Sequence, residues 1–234
     1  MSGPLALVGG AEFTRGNEDQ DRRLVDSASG RPAYVVCSAV ATAPERAALT
    51  ARRWFAGLGI DMHELRARTR AEAASEESVT AARAAGLVYI AGGDPGRTVR
   101  VLAGSPVWEA VVEAWRGGAA LAGSSAGAMA LCRWTLVRDR WPGHDTRRPL
   151  DALGLVPGCA VLPHFDTFGQ RWIASAQASL GDAPLVGVDE RTAALWDGTA
   201  WRVAGAGAVT LVTGTLRHVS RAGESAAIPA PTLG

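Results

Sequence analysis

The sequence predicts an α/β fold in which a mostly parallel sheet is covered by helices, with antiparallel strands toward the C-terminus. Three observations predict it. Short apolar runs alternate with longer amphipathic ones through the first half of the chain. At 234 residues the chain can bury one large core, so a single domain over 1–234 is the natural expectation. The last third changes texture and alternates apolar residues with turn signals at Asp197-Gly198 and Gly205-Gly207, as antiparallel strands do.

In order, LALVGG (5–10), AYVVCSAV (33–40), MHEL (62–65), GLVYIAGG (86–93) and AALAGS (119–124) read as strands. Between them lie helical patterns. PERAALTARRWFAGLG (44–59) stops at Gly57 and Gly59; SEESVTAARAAG (75–86) opens with Ser75 and acidic residues; SPVWEAVVEAWRGG (105–118) has Ser105 as cap and Pro106 at the first helical position. The polar stretch RWTLVRDRWPGHDTRRPL (133–150) reads as a hairpin or surface loop. CAVLPH (159–164) and PLVGVDE (184–190) are further strands, with a helix over TFGQRWIASAQASLG (167–181). The closing GESAAIPAPTLG (223–234) has the composition of a frayed tail.

Composition excludes several classes. Apolar content of 47% and a formal charge of +1 give no basic excess for nucleic acid or a membrane surface. All 24 positive residues are arginine, a bias that by itself assigns no task. Cys37, Cys132 and Cys159 are widely spaced and form no C-x-x-C or Cys/His metal set, so they read as buried thiols of an intracellular protein. The opening MSGPLALVGGAEF has no positive n-region and too short an apolar stretch for a signal peptide, and no segment reaches the roughly 20 apolar residues of a membrane span. A soluble cytoplasmic protein is the expectation.

Residues 121–132, LAGSSAGAMALC, carry the chemistry. G-x-S-x-G fits there in one frame, Gly123 to Gly127, which makes Ser125 the reactive hydroxyl and leaves Ser124 as filler. A strand before it and a helix over AGAMALC after it would hold that serine in a strained turn, with helix amides facing a developing oxyanion. The competing reading is a Gly/Ser-rich turn of purely structural use. Four histidines are available as base. His63 lies in a short strand and His144 in the polar loop. His218 sits near the C-terminus, whereas His164 ends a strand at the edge where ligand sites of open α/β sheets gather. Asp189 and Glu190 emerge at the same edge, and one of them suits the orienting acid.

These residues resemble a known family. GGD (92–94), GSSAGAM (123–129), PHF (163–165), GVDERTA (187–193) and VAGAGAVTL (203–211) look like the S51 serine peptidases, which include aspartyl dipeptidase and cyanophycinase. The resemblance covers nearly the whole chain in order. It implies a class I glutamine amidotransferase-like, flavodoxin-like three-layer sandwich, with serine where amidotransferases carry cysteine. It also implies Ser125 as nucleophile, His164 as general base, Glu190 as third member, and the Gly93 and Ala126 amides as oxyanion hole. Asp94, Arg171 and Asp189 are then expected near the substrate, although Asp94 also suits a helix cap. The chain departs from the family too: only Arg171 remains where cyanophycinases carry several arginines after D-Q-H-F, and the dipeptidases' G-G-G-N is here Gly92-Gly93-Asp94-Pro95. Arg97, Arg133, Arg138, Arg171 and Arg191 are candidates to pair with a substrate carboxylate. The implied reaction is peptide hydrolysis through an acyl-serine, with no metal or organic cofactor, on a small peptide; nucleic acid and membrane are not expected partners, and homodimerisation stays open. Two rivals remain: an α/β-hydrolase esterase using His218 with Asp189 or Asp197, and a silent binding module on the same scaffold.

Overall fold

The computed structural model describes residues 2–40, 42–139 and 145–232. In chain order the elements are β1 (Leu5–Val8), α1 (Glu18–Ser27), β2 (Ala33–Val36), α2 (Pro44–Gly57), β3 (Met62–Glu64), α3 (Glu76–Ala84), β4 (Leu87–Ile90), α4 (Pro95–Leu102), α5 (Pro106–Arg116), β5 (Ala120–Ser124) and α6 (Ala126–Leu131). There follow β6 (Cys132–Arg138), β7 (Arg147–Asp151), β8 (Val156–Leu162), α7 (Ile173–Leu180), β9 (Leu185–Val188), β10 (Thr192–Trp196), β11 (Trp201–Gly205), β12 (Ala208–Thr213), β13 (Leu216–Arg221) and β14 (Ser225–Ala226).

The expected single central sheet resolves into two. The first has the order β14-β11-β10-β1-β5-β4-β2-β3, parallel from β1 to β3 and antiparallel from β1 to β14. The second has the order β13-β12-β9-β8-β6-β7, with a parallel centre, β6-β8-β9, and antiparallel flanks. Along β1 the period of two sends Leu5 and Leu7 into one core and Ala6 and Val8 into another. The first core continues through Trp108 and Trp115 of α5, Met129 of α6 and Val161 and Val186 of the second sheet. The other lies under α1 and α2, where Phe13, Phe55 and Tyr89 pack edge to face or tilted at centroid distances of 5.0–5.9 Å. Both faces of the parallel strands are therefore covered, which explains their nearly unbroken apolar runs.

Four differences from the sequence expectation have physical reasons. Strands β1, β2 and β4 stop short of the predicted 10, 40 and 93, because the residues after them leave the ladder as turns. Helix α1 escaped notice since its buried face carries Gln20 and Asp21 beside Leu24, which hides the apolar period. The helix expected over 167–181 divides into a 3-10 turn at Gly169–Trp172 and α7, where a side chain on Gly169 would come within 2.2 Å of the Pro163 carbonyl oxygen. Of the segment expected to fray, the described residues 223–232 are held instead: β14 pairs with β11, Ile228 is buried, and Thr232 donates its amide to Leu155 O at 2.8 Å. The polar stretch at 133–150 contains the β6–β7 hairpin strands, the three cysteines are free and buried, and among the described residues no helix is long and apolar enough to cross a membrane.

Candidate active site

Five strand ends converge at one edge. The turns after β1, β4 and β5 come from the first sheet, and those after β8 and β9 from the second. Between β5 and α6, Ser125 adopts φ 48° and ψ −109°, a left-handed conformation that costs a non-glycine residue of order 1–3 kcal/mol. Its amide donates to Val8 O at 2.9 Å, and its carbonyl accepts from Met129 N–H at 3.0 Å. The turn is that tight because its neighbours lack side chains. A Cβ on Gly123 would sit 2.5 Å from the Gly127 carbonyl carbon, and one on Gly127 would sit 2.2 Å from Ile90 O.

The hydroxyl so presented is 3.0 Å from His164 Nε2, and His164 Nδ1 is 2.8 Å from Glu190 Oε1. His164 is itself in the left-handed region at φ 50°. Its amide donates to Gly9 O at 2.8 Å, and its carbonyl accepts the amides of Thr167, Phe168 and Gly169 at 2.8–3.1 Å. Beneath the imidazole lies Gly10, where any Cβ would fall 2.2 Å from His164 Cε1. Glu190 is anchored through its amide, which donates to Asp166 Oδ1 at 3.0 Å. Across from the hydroxyl, Gly93 has φ 138° and no room for a side chain, a Cβ there lying 2.3 Å from Ala39 O. Ala126 opens α6, where a helix amide has no intrahelical acceptor. Ser125, Ala126, Gly93, His164, Met129, Phe168, Trp172 and Arg147 enclose a cavity of about 320 Å³.

The other expected residues scatter. Asp94 caps α4, its Oδ1 accepting Arg97 N–H at 3.0 Å, and also lines a neighbouring cavity. Asp189, expected at the substrate, faces the other way: its Oδ2 accepts Ala208 N–H at 2.8 Å, and burial pushes its carboxyl above the ordinary value. Past the end of β9 the chain turns at Glu190, which meets the imidazole, while the Asp189 carboxylate is already engaged by the Ala208 amide. Arg171 is exposed, 3.9 Å from Asp145, and lines an outer recess with Phe168 and Trp172 rather than the serine cavity. Arg97 donates to Ser38 O, Arg133 pairs with Asp151, and Arg191 packs beside Gly16. His63 is exposed beside Asp61, Asp197 binds Thr199 and Arg202 in a turn, and His218 is exposed on the edge strand β13. His144 lies outside the described residues.

Sequence reasoning passed over two residues. Glu12, three positions past Gly9, accepts Gly92 N–H on Oε1 and the Ser124 hydroxyl on Oε2, each at 2.9 Å. Ser124 is therefore no filler: through Glu12 it ties the elbow to the turn that carries Gly93. Position supplied a signal here, since Glu12 follows a predicted strand at the ligand edge. Arg147 opens β7 inside the polar stretch, and nothing local marked it. Its guanidinium lies 4.0 Å from the Trp172 ring centroid; Trp172 packs on Phe168, and Phe168 stacks on His164 at 4.8 Å. Among the described residues no group of three or more His, Cys, Asp or Glu is arranged to hold a metal ion.

With that geometry in view, comparison with known proteins is specific. The sequence profile of Peptidase family S51 matches residues 5–204. This chain belongs to peptidase family S51. Every residue of the serine cavity falls within the matched span. This S51 chain is 30% identical over 228 residues to cyanophycinase from Nostoc sp., covering 92% of this chain and 76% of the relative, and equally to cyanophycinase from Trichormus variabilis. Its structure is similar to that of a peptidase from an acI-B1 Actinobacterium, with a TM-score of 0.84, 29% identity and 97% of both chains covered. A solved structure from Listeria monocytogenes EGD-e, at a TM-score of 0.59 and 16% identity, shares the fold, covering 94% of this chain and 99% of its own. The S51 assignment makes the chain a peptidase-family hydrolase with a class I glutamine amidotransferase-like α/β fold.

Proposed function

We propose that this protein is a serine-type exopeptidase that hydrolyses small peptides, such as aspartyl or cyanophycin-derived dipeptides, through an acyl-serine. One observation carries the reading: Ser125 Oγ, His164 and Glu190 form a continuous hydrogen-bonded relay of 3.0 and 2.8 Å. Glu190 accepts the Nδ1 proton, which leaves Nε2 unprotonated toward the hydroxyl, the tautomer a general base needs. Ser125 attacks the peptide carbonyl as His164 takes its proton. The oxyanion falls to the Gly93 and Ala126 amides. His164 then returns the proton to the leaving amine, and water repeats the cycle on the ester. The positive φ of Ser125 keeps the hydroxyl at the head of α6, so little reorganisation is required. The esterase alternative fares worse, since Ser125 is bonded to His164 while His218 lies exposed on β13.

A fluorophosphonate probe labels Ser125 in this reading, and Ser125→Ala abolishes the label. Release of free amino acids from dipeptides with α- or β-linked aspartate at the first position is the direct assay. A protein that is neither labelled nor active on that set is the silent module instead.

A further inference from the structure

The serine cavity has one wall that the acyl-serine chemistry leaves without a task. On the Gly93 and Pro95 side the cavity adjoins a larger one of about 690 Å³, and Arg147 lines both. On another side stand Phe168 and Trp172, which line the outer recess as well. Of these two, Phe168 is the one in contact with the reacting groups.

The His164 imidazole is held at its edge by two hydrogen bonds, from Nε2 to Ser125 Oγ and from Nδ1 to Glu190 Oε1. Bonds at the two ring nitrogens set its direction but tolerate a tilt about the line joining them, because a hydrogen bond weakens steeply only below about 120°. Gly10 limits the ring at Cε1, where a Cβ would fall 2.2 Å away. Phe168 covers a face: the two centroids are 4.8 Å apart and the planes 21° from parallel. That ring is fixed in turn. Its amide donates to the His164 carbonyl at 3.0 Å, and it packs at 5.6 Å on Trp172, which is buried under the Arg147 guanidinium. The stack acts in two ways beyond limiting the tilt. It keeps water from one face of a side chain that is 19% exposed, so that water competes less for the relay bonds. An aromatic face within about 6 Å also favours a cation, so the contact strengthens as the imidazole takes the serine proton.

We infer that Phe168 is a positioning residue for the base, holding the His164 imidazole untilted in the line from Ser125 to Glu190. The inference rests on the acyl-serine reading for the task of that imidazole.

Phe168→Leu keeps apolar bulk and removes the planar face, whereas Phe168→Tyr keeps the face; with Phe168 39% exposed, either side chain is accommodated. The first readout is the rate of labelling by a small methyl fluorophosphonate, which carries no peptide side chain for the cavity to select. Phe168→Leu is expected to lower that rate by roughly tenfold at unchanged melting temperature, and Phe168→Tyr to recover most of it. Proton NMR reads the stack directly. The chain has four histidines, so His164→Ala identifies the His164 signal. The aromatic face shifts that signal upfield in the parent and in Phe168→Tyr, and Phe168→Leu removes the shift. A Phe168→Leu protein labelled as fast as the parent, a Phe168→Tyr protein as slow as Phe168→Leu, or a parent His164 signal without the upfield shift overturns the inference. A parent that does not label overturns the peptidase reading instead, and the placement of the imidazole is then decided by its NMR signal, which requires no turnover.

Discussion

The two adjoining cavities are built from different material. Around Ser125 the walls are mostly backbone: the glycines at 10, 93, 123 and 127 admit no side chain, and two non-glycine residues, Ser125 and His164, are held at positive φ. The larger cavity is shaped by long side chains on the β6–β7 hairpin and on α4. Geometry fixed by packed backbone cannot adjust, which suits groups that must meet within a few tenths of an ångström. Arginine side chains adjust readily, which suits choosing among ligands. The lesson is a division of labour: changes in the first region should appear in kcat, and changes at Arg100 or Arg148 in the second in KM, with Arg147, which lines both cavities, touching each.

The sharpest break would come from Ser125→Ala or His164→Ala, each expected to lower kcat on a cleaved dipeptide by roughly 10⁴–10⁶; a residual rate within tenfold of the parent would remove the backbone-built region from the chemistry. Glu190→Gln keeps a hydrogen-bonding group but not its charge, and can present a donor to Nδ1. A loss of roughly 10³–10⁴ in kcat with a small change in KM is expected from steady-state kinetics. Gly10→Ala tests the rigidity itself: the added methyl must displace the imidazole, for about a 10²-fold loss in kcat in a protein that still folds. Glu12→Gln sharpens the contrast at smaller scale. It leaves one acceptor for two donors and should cost about tenfold in kcat, whereas Arg100→Gln should change KM alone.

The smallest effect concerns stability behind the elbow. Burial raises Asp21 to about 7, assisted by the charges of Glu18 and Glu12, while Trp54 Nε1–H donates to its Oδ2 at 2.7 Å. The folded protein holds this proton more tightly than the unfolded chain, so Asp21 makes stability fall as pH rises from about 4 to about 7, with a constant deficit above. Asp21→Asn, which retains an acceptor for Trp54, should flatten that slope and raise the melting temperature at pH 8 more than at pH 4. Thermal denaturation at the two values decides it.

Much of this was legible in the sequence because it rests on local rules. The elbow, the strand ends and the caps at Ser75, Asp94 and Ser105 follow from residue type and spacing, and the capping hydrogen bonds form as such positions demand. Choosing Glu190 over Asp189 came from family resemblance; the physical reason is that the Asp189 carboxylate is held by the Ala208 amide while Glu190 sits in the turn that follows β9. What stayed hidden depends on distant pairing. Glu12 acts on residues 80 and 112 positions away, and Arg147 gains meaning only when its strand folds over Trp172. The second sheet was invisible for the same cause, since its strands carry the same apolar alternation as those of the first.

The row formed by His164, Phe168, Trp172 and Arg147 has one more implication. Pressing on one end of a file of touching planar groups is felt at the other, so a guest that grips the guanidinium also braces the proton acceptor. Recognition and reactivity would then be mechanically ganged: a molecule too short to reach the far end leaves the near end slack, and is turned over slowly even when it is held.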